Sequence, residues 1–185
     1  WLFGGYGYGS DGVGLLNTLW SYDPVSNEWT WVMGDQEINS TGKYGTNGIA
    51  HAQNLPGARY CSVSWTDNSG DLWLFGGYGY GTNPDENGPL NDLWKFSVQT
   101  REWTWIKGDS LIAAKGHYGA KGNSAPENNP GSRYISTSWK DATGNIWVFG
   151  GQGYDENSMG ILNDLWKFDN GTKEWTWVSG DNAID

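Results

Sequence analysis

DLWLFGGYGYGTNPDENGPLNDLWKFSVQTREWTWIKG, residues 71–108, holds three sequence markers that decide the fold. The first marker, WLFGG at Trp73, also occurs at Trp1 and, as WVFGG, at Trp147, which are offsets of 72 and 74 residues. The markers LNDLW and EWTW recur in the same order and at the same spacing, the first occurrence of LNDLW being LNTLW. Three markers in one order at one spacing indicate an internal repeat.

One repeat unit is predicted to form four antiparallel strands. RYCSVSW, which starts at Arg59, is a run of small and apolar residues before the turn signal TDNSG, and DLWLFGG is a second strand that ends in a glycine pair. NDLWKF, after a Gly-rich loop, and REWTWIKG, after a short turn, supply the third and fourth strands. Helices are not expected, because no segment sustains the apolar period of a helix.

The predicted strands are apolar on both faces. In the second strand, Trp73 and Phe75 alternate with Leu72 and Leu74, so each face carries large apolar side chains. Because such a sheet must be covered on both sides, we expect neighbouring repeat units to sandwich it. Most of the 14 tryptophans are therefore predicted to fill the core.

With the markers RY, FGG, LNDLW and EWTW in this order, the chain resembles the kelch-repeat family, and within it the galactose-oxidase-like propellers with enlarged repeats. The resemblance implies an all-β fold, a partial β-propeller of four-stranded antiparallel kelch blades. Residues 1–35 correspond to an incomplete blade that lacks its first strand, and 59–109 and 133–185 correspond to two complete blades. The insertions 36–58 and 110–132 are longer than the usual kelch connections, and we expect an individual function to lie there.

The resemblance also implies structural roles for residues that recur with the repeat. In the family, the glycine pair lets the backbone turn beside a neighbouring aromatic residue, and the strand Trp or Tyr fills the space between blades. We expect the recurring Arg residues to brace the start of a blade through hydrogen bonds to backbone carbonyls. The expected structural positions are Gly4, Gly5, Trp20, Trp29, Trp31, Arg59, Gly76, Gly77, Trp94, Trp103, Trp105, Arg133, Gly150, Gly151, Trp166, Trp175 and Trp177.

Composition argues against several classes of partner. The formal net charge of -10 disfavours nucleic acid, and no apolar run is long enough to predict insertion into a membrane. Cys61 is the only cysteine, so an intrachain disulfide is impossible, and we expect it to be a small buried residue. The chain opens on Trp1 within a strand pattern. We expect further blades, from a longer chain or from other copies, to complete the propeller.

Candidate binding residues lie between the predicted second and third strands. Exposed tyrosines flanked by carboxylates suit contact with a sugar or a protein, although the loops could instead pack on one another. Oxygen-rich turns could bind Ca²⁺, but the spacing of a dedicated calcium loop is absent, so we expect solvated turns and no metal or other cofactor. The candidates are Tyr6, Tyr8, Asp11, Tyr78, Tyr80, Asp85, Tyr154 and Asp155.

Two N-x-S/T sequons predict glycosylation at Asn39 and Asn170. Together with the acidic, Lys-poor composition and the frequent occurrence of the family outside cells, they favour a secreted or cell-surface glycoprotein. The leading hypothesis is a non-catalytic scaffold or a module that binds a protein or glycan partner.

The alternative hypothesis is the propeller domain of a carbohydrate-active enzyme whose catalytic residues lie outside this segment. A galactose-oxidase-like copper site would need a Tyr crosslinked to Cys, a second Tyr and two His, but His51 and His117 fall at non-equivalent points of the repeat. A sialic-acid-active site would need clustered Arg, whereas the repeated Arg residues are Arg59 and Arg133. No catalytic residue is therefore assigned.

Overall fold

The computed structural model describes residues 1–184, which form an all-β structure. Within that range the strands make three antiparallel sheets, one for each occurrence of the three sequence markers. The all-β prediction is thus confirmed. No helix in residues 1–184 is long and apolar enough to cross a membrane.

The three sheets follow one another along the chain. Sheet 1 contains β1 (Leu2–Gly9), β2 (Gly12–Asp23) and β3 (Glu28–Met33), in that order. Sheet 2 contains β4 (Arg59–Tyr60), β5 (Val63–Thr66), β6 (Leu72–Tyr80), β7 (Asn87–Ser97) and β8 (Glu102–Lys107). Sheet 3 contains β9 (Ser124–Ala125), β10 (Arg133–Tyr134), β11 (Thr137–Lys140), β12 (Ile146–Tyr154), β13 (Met159–Asp169) and β14 (Glu174–Ser179).

The first predicted strand of the repeat is interrupted. β4 and β5 both pair with β6, but Cys61 between them has a φ of 55°, which takes the chain out of the ladder. Ile135 repeats the break in sheet 3 with a φ of 58°, and its N–H donates to the Cys61 carbonyl across 3.1 Å. The break therefore connects the edges of sheets 2 and 3.

The second and third strands are longer than predicted. β6 continues past the glycine pair to Tyr80, which pairs with Asn87 at the start of β7. The sequence Tyr78-Gly79-Tyr80 is therefore extended strand and not loop. Glycine is required there because a Cβ on Gly79 would overlap the carbonyl oxygen of Ala58, the residue just before β4.

Each sheet has a forward face, which carries Phe3, Phe75 or Phe149, and a rear face, which carries Trp29, Trp103 or Trp175. The forward face of sheet 1 packs on the rear face of sheet 2, and the forward face of sheet 2 packs on the rear face of sheet 3. Sheet 2 is thus covered on both sides, as its alternating apolar pattern predicts.

The two junctions repeat the same aromatic contacts. The ring centroids of Phe3 and Trp103 are 5.5 Å apart, and those of Phe75 and Trp175 are 5.2 Å apart. A second pair also recurs, since both the Trp1–Phe96 and the Trp73–Phe168 centroid distances are 6.0 Å.

The glycine pair meets the neighbouring sheet at backbone atoms. Gly76 has a φ of 62°, and a Cβ there would lie 2.7 Å from the Arg133 carbonyl oxygen; Gly4 approaches Arg59 in the same way. A side chain at either position would therefore meet the Arg backbone of the neighbouring sheet.

Burial of the marker tryptophans depends on the presence of a neighbouring sheet. Trp103 and Trp175 are almost fully buried, whereas Trp29, at the same repeat position in sheet 1, is 53% exposed. On the forward face of sheet 3, Phe149 is 47% exposed although its equivalent Phe75 is buried. Two aromatic faces are thus uncovered, one at each end of the stack.

The two insertions are ordered straps with the same conformation. In the first, Lys43 forms a bridge with Leu55, and Asn54 Nδ2 donates to the Trp103 carbonyl of β8 across 3.0 Å. In the second, Asn128 Nδ2 donates to the Trp175 carbonyl of β14 across 3.1 Å. Each insertion is therefore fastened along the last strand of the sheet that follows it.

Candidate functional site

A buried ion pair organises sheet 2. Arg59 Nη1 and Nη2 donate to Asp92 Oδ1 and Oδ2 across 2.5 and 2.7 Å, while Arg59 Nε and Nη1 also donate to the carbonyls of Gly57 and Gly76. Asp92 Oδ2 further accepts from the Tyr44 hydroxyl at 2.6 Å and from Trp94 Nε1 at 2.7 Å. The carboxylate is thereby surrounded by donors, which offset the cost of burying it.

The same network recurs in sheet 3. Arg133 donates to both oxygens of Asp164 across 2.7 and 2.8 Å, and Asp164 Oδ2 accepts from the Tyr118 hydroxyl at 2.6 Å. Burial raises the pKa of Asp164, but the charge of Arg133 and the hydrogen bonds outweigh burial, so the pKa lies below its usual value. Asp164 is therefore held as a carboxylate.

The tyrosines of these networks remain neutral donors. Burial, and next the neighbouring carboxylate of Asp92, raise the pKa of Tyr44 well above its usual value. The pKa of Tyr118 is raised by burial and by Asp164. The expected bracing role of Arg59 and Arg133 includes carbonyl contacts, but their main partners, Asp92 and Asp164, were not among the candidate residues. The signals that could have identified these partners are the Asp that recurs in LNDLW and the Tyr that recurs at Tyr44 and Tyr118.

The tyrosines among the candidate binding residues are spread over all three sheets. Tyr6 and Tyr8 are 69% and 86% exposed on β1. Tyr78 lies on β6, where its ring is 5.7 Å from that of Tyr60 and 5.3 Å from that of Tyr134. The structure therefore brings Tyr78 into a row with two residues outside the candidate set. Tyr80 and Tyr154 are half-buried at the ends of β6 and β12.

The carboxylates among the candidate binding residues differ in how far they are exposed to solvent. Asp85 is exposed in the turn between β6 and β7, and Asp11 Oδ1 accepts from the Ile38 N–H across 2.9 Å. Asp155 is only 1% exposed, and its oxygens accept from the backbone N–H groups of Asn157, Ser158 and Ile184. Asp155 therefore fastens a turn and is not presented to a ligand.

Cys61 is exposed and not buried as expected. The positive φ of Cys61 turns this residue out of the strand ladder. Cys61 adjoins Tyr134, and burial, together with Tyr60, Tyr78 and Cys61, raises the pKa of Tyr134. Within residues 1–184, no group of three or more His, Cys, Asp or Glu side chains is arranged to hold a metal ion.

The residues predicted to carry glycans lie in turns. Asn39 is exposed in the first insertion, where its Oδ1 accepts from the Leu15 N–H across 3.0 Å. Asn170 is half-exposed in the turn between β13 and β14, and its Oδ1 accepts from Lys173 Nζ across 2.5 Å.

A cleft of about 810 Å³ lies between the end of β3 and the first insertion. The lining combines apolar side chains with one ammonium, one carboxylate, one imidazole and two carboxamides. The residues are Met33, Gly34, Asp35, Lys43, Tyr44, Gly45, Thr46, Ile49, His51, Ala52, Gln53, Asn54 and Leu55.

The two charges in the cleft are paired with each other. Lys43 Nζ lies 3.3 Å from Asp35 Oδ1, and Asp35 Oδ2 accepts from Asn17 Nδ2 across 3.0 Å. His51 Nδ1 accepts from the Gln53 backbone N–H across 3.1 Å, which orients the imidazole. The cleft therefore offers polar groups without a strong net charge.

The corresponding region of the second insertion forms a smaller cleft, of about 530 Å³, that is crossed by a hydrogen bond. Lys107 occupies the repeat position of Met33, and its Nζ donates to the Pro126 carbonyl across 2.5 Å. This bond joins the end of β8 to the second insertion. Met33 makes no such bridge, because a thioether has no N–H to donate.

Two polar residues of the cleft do not recur. His51 and Gln53 correspond to Ala125 and Glu127 in the second insertion. Sequence reasoning placed an individual function in the insertions but did not select these residues. The available signal was the difference between two otherwise matching segments.

Comparison with known proteins assigns no family to the chain. No protein-family model matches it, and no curated protein matches it with significant sequence similarity.

Proposed function

We propose that the chain forms three consecutive kelch-type β-propeller blades, of which the first has three strands, and that it is a non-catalytic binding module outside the cell. The stacking of sheets 1, 2 and 3 through one repeated forward-to-rear contact supports the propeller assignment. The sequons at Asn39 and Asn170, in turns at the surface, support the extracellular location.

The buried ionisable groups bond to other protein groups, which supports a non-catalytic role. Arg59, Asp92 and Tyr44 bond to one another, as do their equivalents in sheet 3. A catalytic acid or base must exchange a proton with a substrate, whereas these groups are saturated by protein partners. Their recurrence at equivalent positions fits a framework that holds each blade together.

The cleft is the proposed binding site, and the observation that carries the proposal is its difference from the second insertion. Its exposed Ile49 side chain supplies apolar contact, and His51 and Gln53 supply hydrogen-bonding groups. Because Lys43 and Asp35 pair with each other, the cleft suits a neutral ligand rich in hydroxyl or amide groups. Such a ligand is an oligosaccharide or a peptide segment of a protein partner.

The test replaces three cleft residues with those that occupy the same repeat positions at the end of β8 and in the second insertion. A Met33→Lys/His51→Ala/Gln53→Glu variant should fold, because Lys107, Ala125 and Glu127 occupy those positions in the same scaffold. The wild-type protein is assayed on arrays of neutral oligosaccharides and peptides, and hits are measured by calorimetry. The variant should bind at least about tenfold more weakly, a difference of about 1.4 kcal/mol.

The matched control is Glu127→Gln, which changes the second insertion and should leave affinity unchanged. Equal affinity for wild-type protein and the cleft variant would place the binding site elsewhere. Failure of the wild-type protein to bind any member of either array would refute the proposed ligand class.

A further inference from the structure

The smaller cleft, of about 530 Å³, lies where the second insertion meets the end of β8 and the turn between β13 and β14. We call it the second cleft, and the larger one beside β3 the first cleft. All the walls of the second cleft are internal parts of the chain. Its charged lining residues are Lys107, Asp109, Glu127 and Lys173. The two clefts therefore differ in position and in charge.

The two ammonium groups of the second cleft have no carboxylate partner. Lys107 Nζ donates to a backbone carbonyl and Lys173 Nζ donates to the Asn170 side chain, each across 2.5 Å. Neither forms an ion pair within the described part of the chain, whereas Lys43 in the first cleft is paired with Asp35. Because an ammonium carries three N–H donors, each lysine retains donors for a ligand.

Both ammonium groups lie in surroundings that disfavour their charge. Burial lowers the pKa of Lys107, and the carboxylates of Glu174 and Glu127 offset this only in part. Burial, and next the neighbouring ammonium of Lys95, lower the pKa of Lys173. An anion bound in the second cleft would stabilise both charges.

The rest of the lining suits a sugar ring and its hydroxyl groups. Trp105 Nε1 donates to a backbone carbonyl across 2.9 Å, so the indole N–H is occupied and the ring is left for apolar contact. Asn129 replaces Leu55 of the first cleft, and its Oδ1 has no partner in the described part of the chain. Asp109 and Glu127 are exposed carboxylates, which accept hydrogen bonds from hydroxyl groups.

We propose that the second cleft binds a uronic acid, a saccharide residue with a single carboxylate, independently of any ligand in the first cleft. The carboxylate of the sugar pairs with the ammonium groups of Lys107 and Lys173, and its hydroxyls donate to Asp109 and Glu127. An uncharged sugar would leave both ammonium groups without a partner. A polyanion is disfavoured, because the two cleft carboxylates and the net charge of -10 repel it.

The test is saturation-transfer NMR with the methyl glycosides of glucuronic, galacturonic and mannuronic acid. The uncharged methyl glycosides of glucose, galactose and mannose are the matched neutral probes, and a heparin oligosaccharide and an oligoglutamate peptide are the polyanionic probes. At least one uronate should bind about tenfold more tightly than its neutral counterpart. Added salt should weaken this binding, because salt screens the attraction between ammonium and carboxylate.

Two variants remove the ammonium groups by using residues that sheet 1 carries at the same repeat positions. Lys107→Met copies Met33, and Lys173→Asn copies Asn27. Lys173 and Asn27 both have a φ of 61°, so asparagine fits the backbone there. Each variant should fold, as circular dichroism checks, and should bind the uronate at least about tenfold more weakly. Lys115→Met, which removes an exposed ammonium elsewhere in the second insertion, is the control and should bind like wild type.

Failure of all three uronates to bind the wild-type protein would overturn the proposal. Equal affinity for uronates and neutral glycosides would do the same, because the ammonium groups would then play no part. Folded Lys107→Met and Lys173→Asn variants with wild-type affinity would place the uronate elsewhere. Tighter binding of heparin or of the peptide would show that the second cleft does not select a sugar with one carboxylate.

Discussion

Replacing Trp94 with phenylalanine should destabilise the protein much more than the same replacement at Trp103. Both indoles are almost completely buried on the rear face of sheet 2, and their rings pack edge to face at 6.3 Å. The cost of replacing a buried indole with a smaller apolar ring should therefore be similar at the two positions. The difference lies in the indole N–H groups.

The Trp94 N–H donates to the Asp92 carboxylate across 2.7 Å, whereas the buried Trp103 N–H has no acceptor among residues 1–184. Loss of a hydrogen bond to a charged group costs about 1.5–3 kcal/mol. Removal of an unpartnered buried donor instead relieves a desolvation cost of about 1–3 kcal/mol. We therefore expect Trp94→Phe to lower the free energy of unfolding by about 2.5–6 kcal/mol more than Trp103→Phe.

Urea unfolding at neutral pH measures this difference, provided that the two variants have the same dependence on denaturant. Trp166 and Trp175 provide an independent pair, because the Trp166 N–H donates to Asp164 and the buried Trp175 N–H has no described acceptor. Equal unfolding midpoints within both pairs would refute the reasoning, because the hydrogen bond to the carboxylate would then contribute nothing measurable.

Three further predictions concern the framework and its surface. Because the pKa of Asp164 is lowered in the folded protein, its carboxylate stabilises the fold fully above the unfolded pKa of about 3.9, and this stabilisation is lost as pH falls through the folded pKa. Asp164→Asn should therefore reduce the loss of stability in acid, which urea unfolding midpoints measured against pH would show. Gly76→Ala should lower the free energy of unfolding, measured in urea, more than Gly48→Ala does. Both glycines have positive φ, but only a Cβ at Gly76 meets a backbone oxygen, at 2.7 Å. Equal losses would show that this steric overlap has no effect on stability. Asn39 and Asn170 should carry glycans after secretion from a eukaryotic host, and an intact mass unchanged by glycosidase would contradict this.

The all-β class and the two-sided burial of sheet 2 could be predicted because they depend on local alternation. Trp73 and Phe75 must share a face in any strand, and their apolar neighbours leave no face for solvent. The extent of burial was not local, since Trp29 and Trp103 occupy equivalent positions and differ only in whether another sheet covers them. Sequence alternation shows which face a residue occupies, but not what lies against it.

The carboxylate network and the cleft could not be predicted from local pattern. Tyr44 and Asp92 are 48 residues apart, and their contact depends on how the first insertion folds back onto sheet 2. His51 and Gln53 reach one cleft because the bridge from Lys43 to Leu55 doubles the insertion back on itself. Recurrence in the sequence identifies the residues that build the scaffold, whereas the cleft is distinguished by residues that do not recur.

The strap formed by the first insertion has two buried side-chain anchors, the Tyr44 hydroxyl on Asp92 and the Asn54 amide on the Trp103 carbonyl. Residues 45–53 between these anchors resemble a variable loop displayed on a rigid support. Because the anchors are buried in sheet 2, a ligand would meet a wall that is already ordered and would incur little entropic cost in arranging it. The segment between the anchors is therefore a place where the protein can acquire a new specificity, by evolution or by library selection, without altering its core.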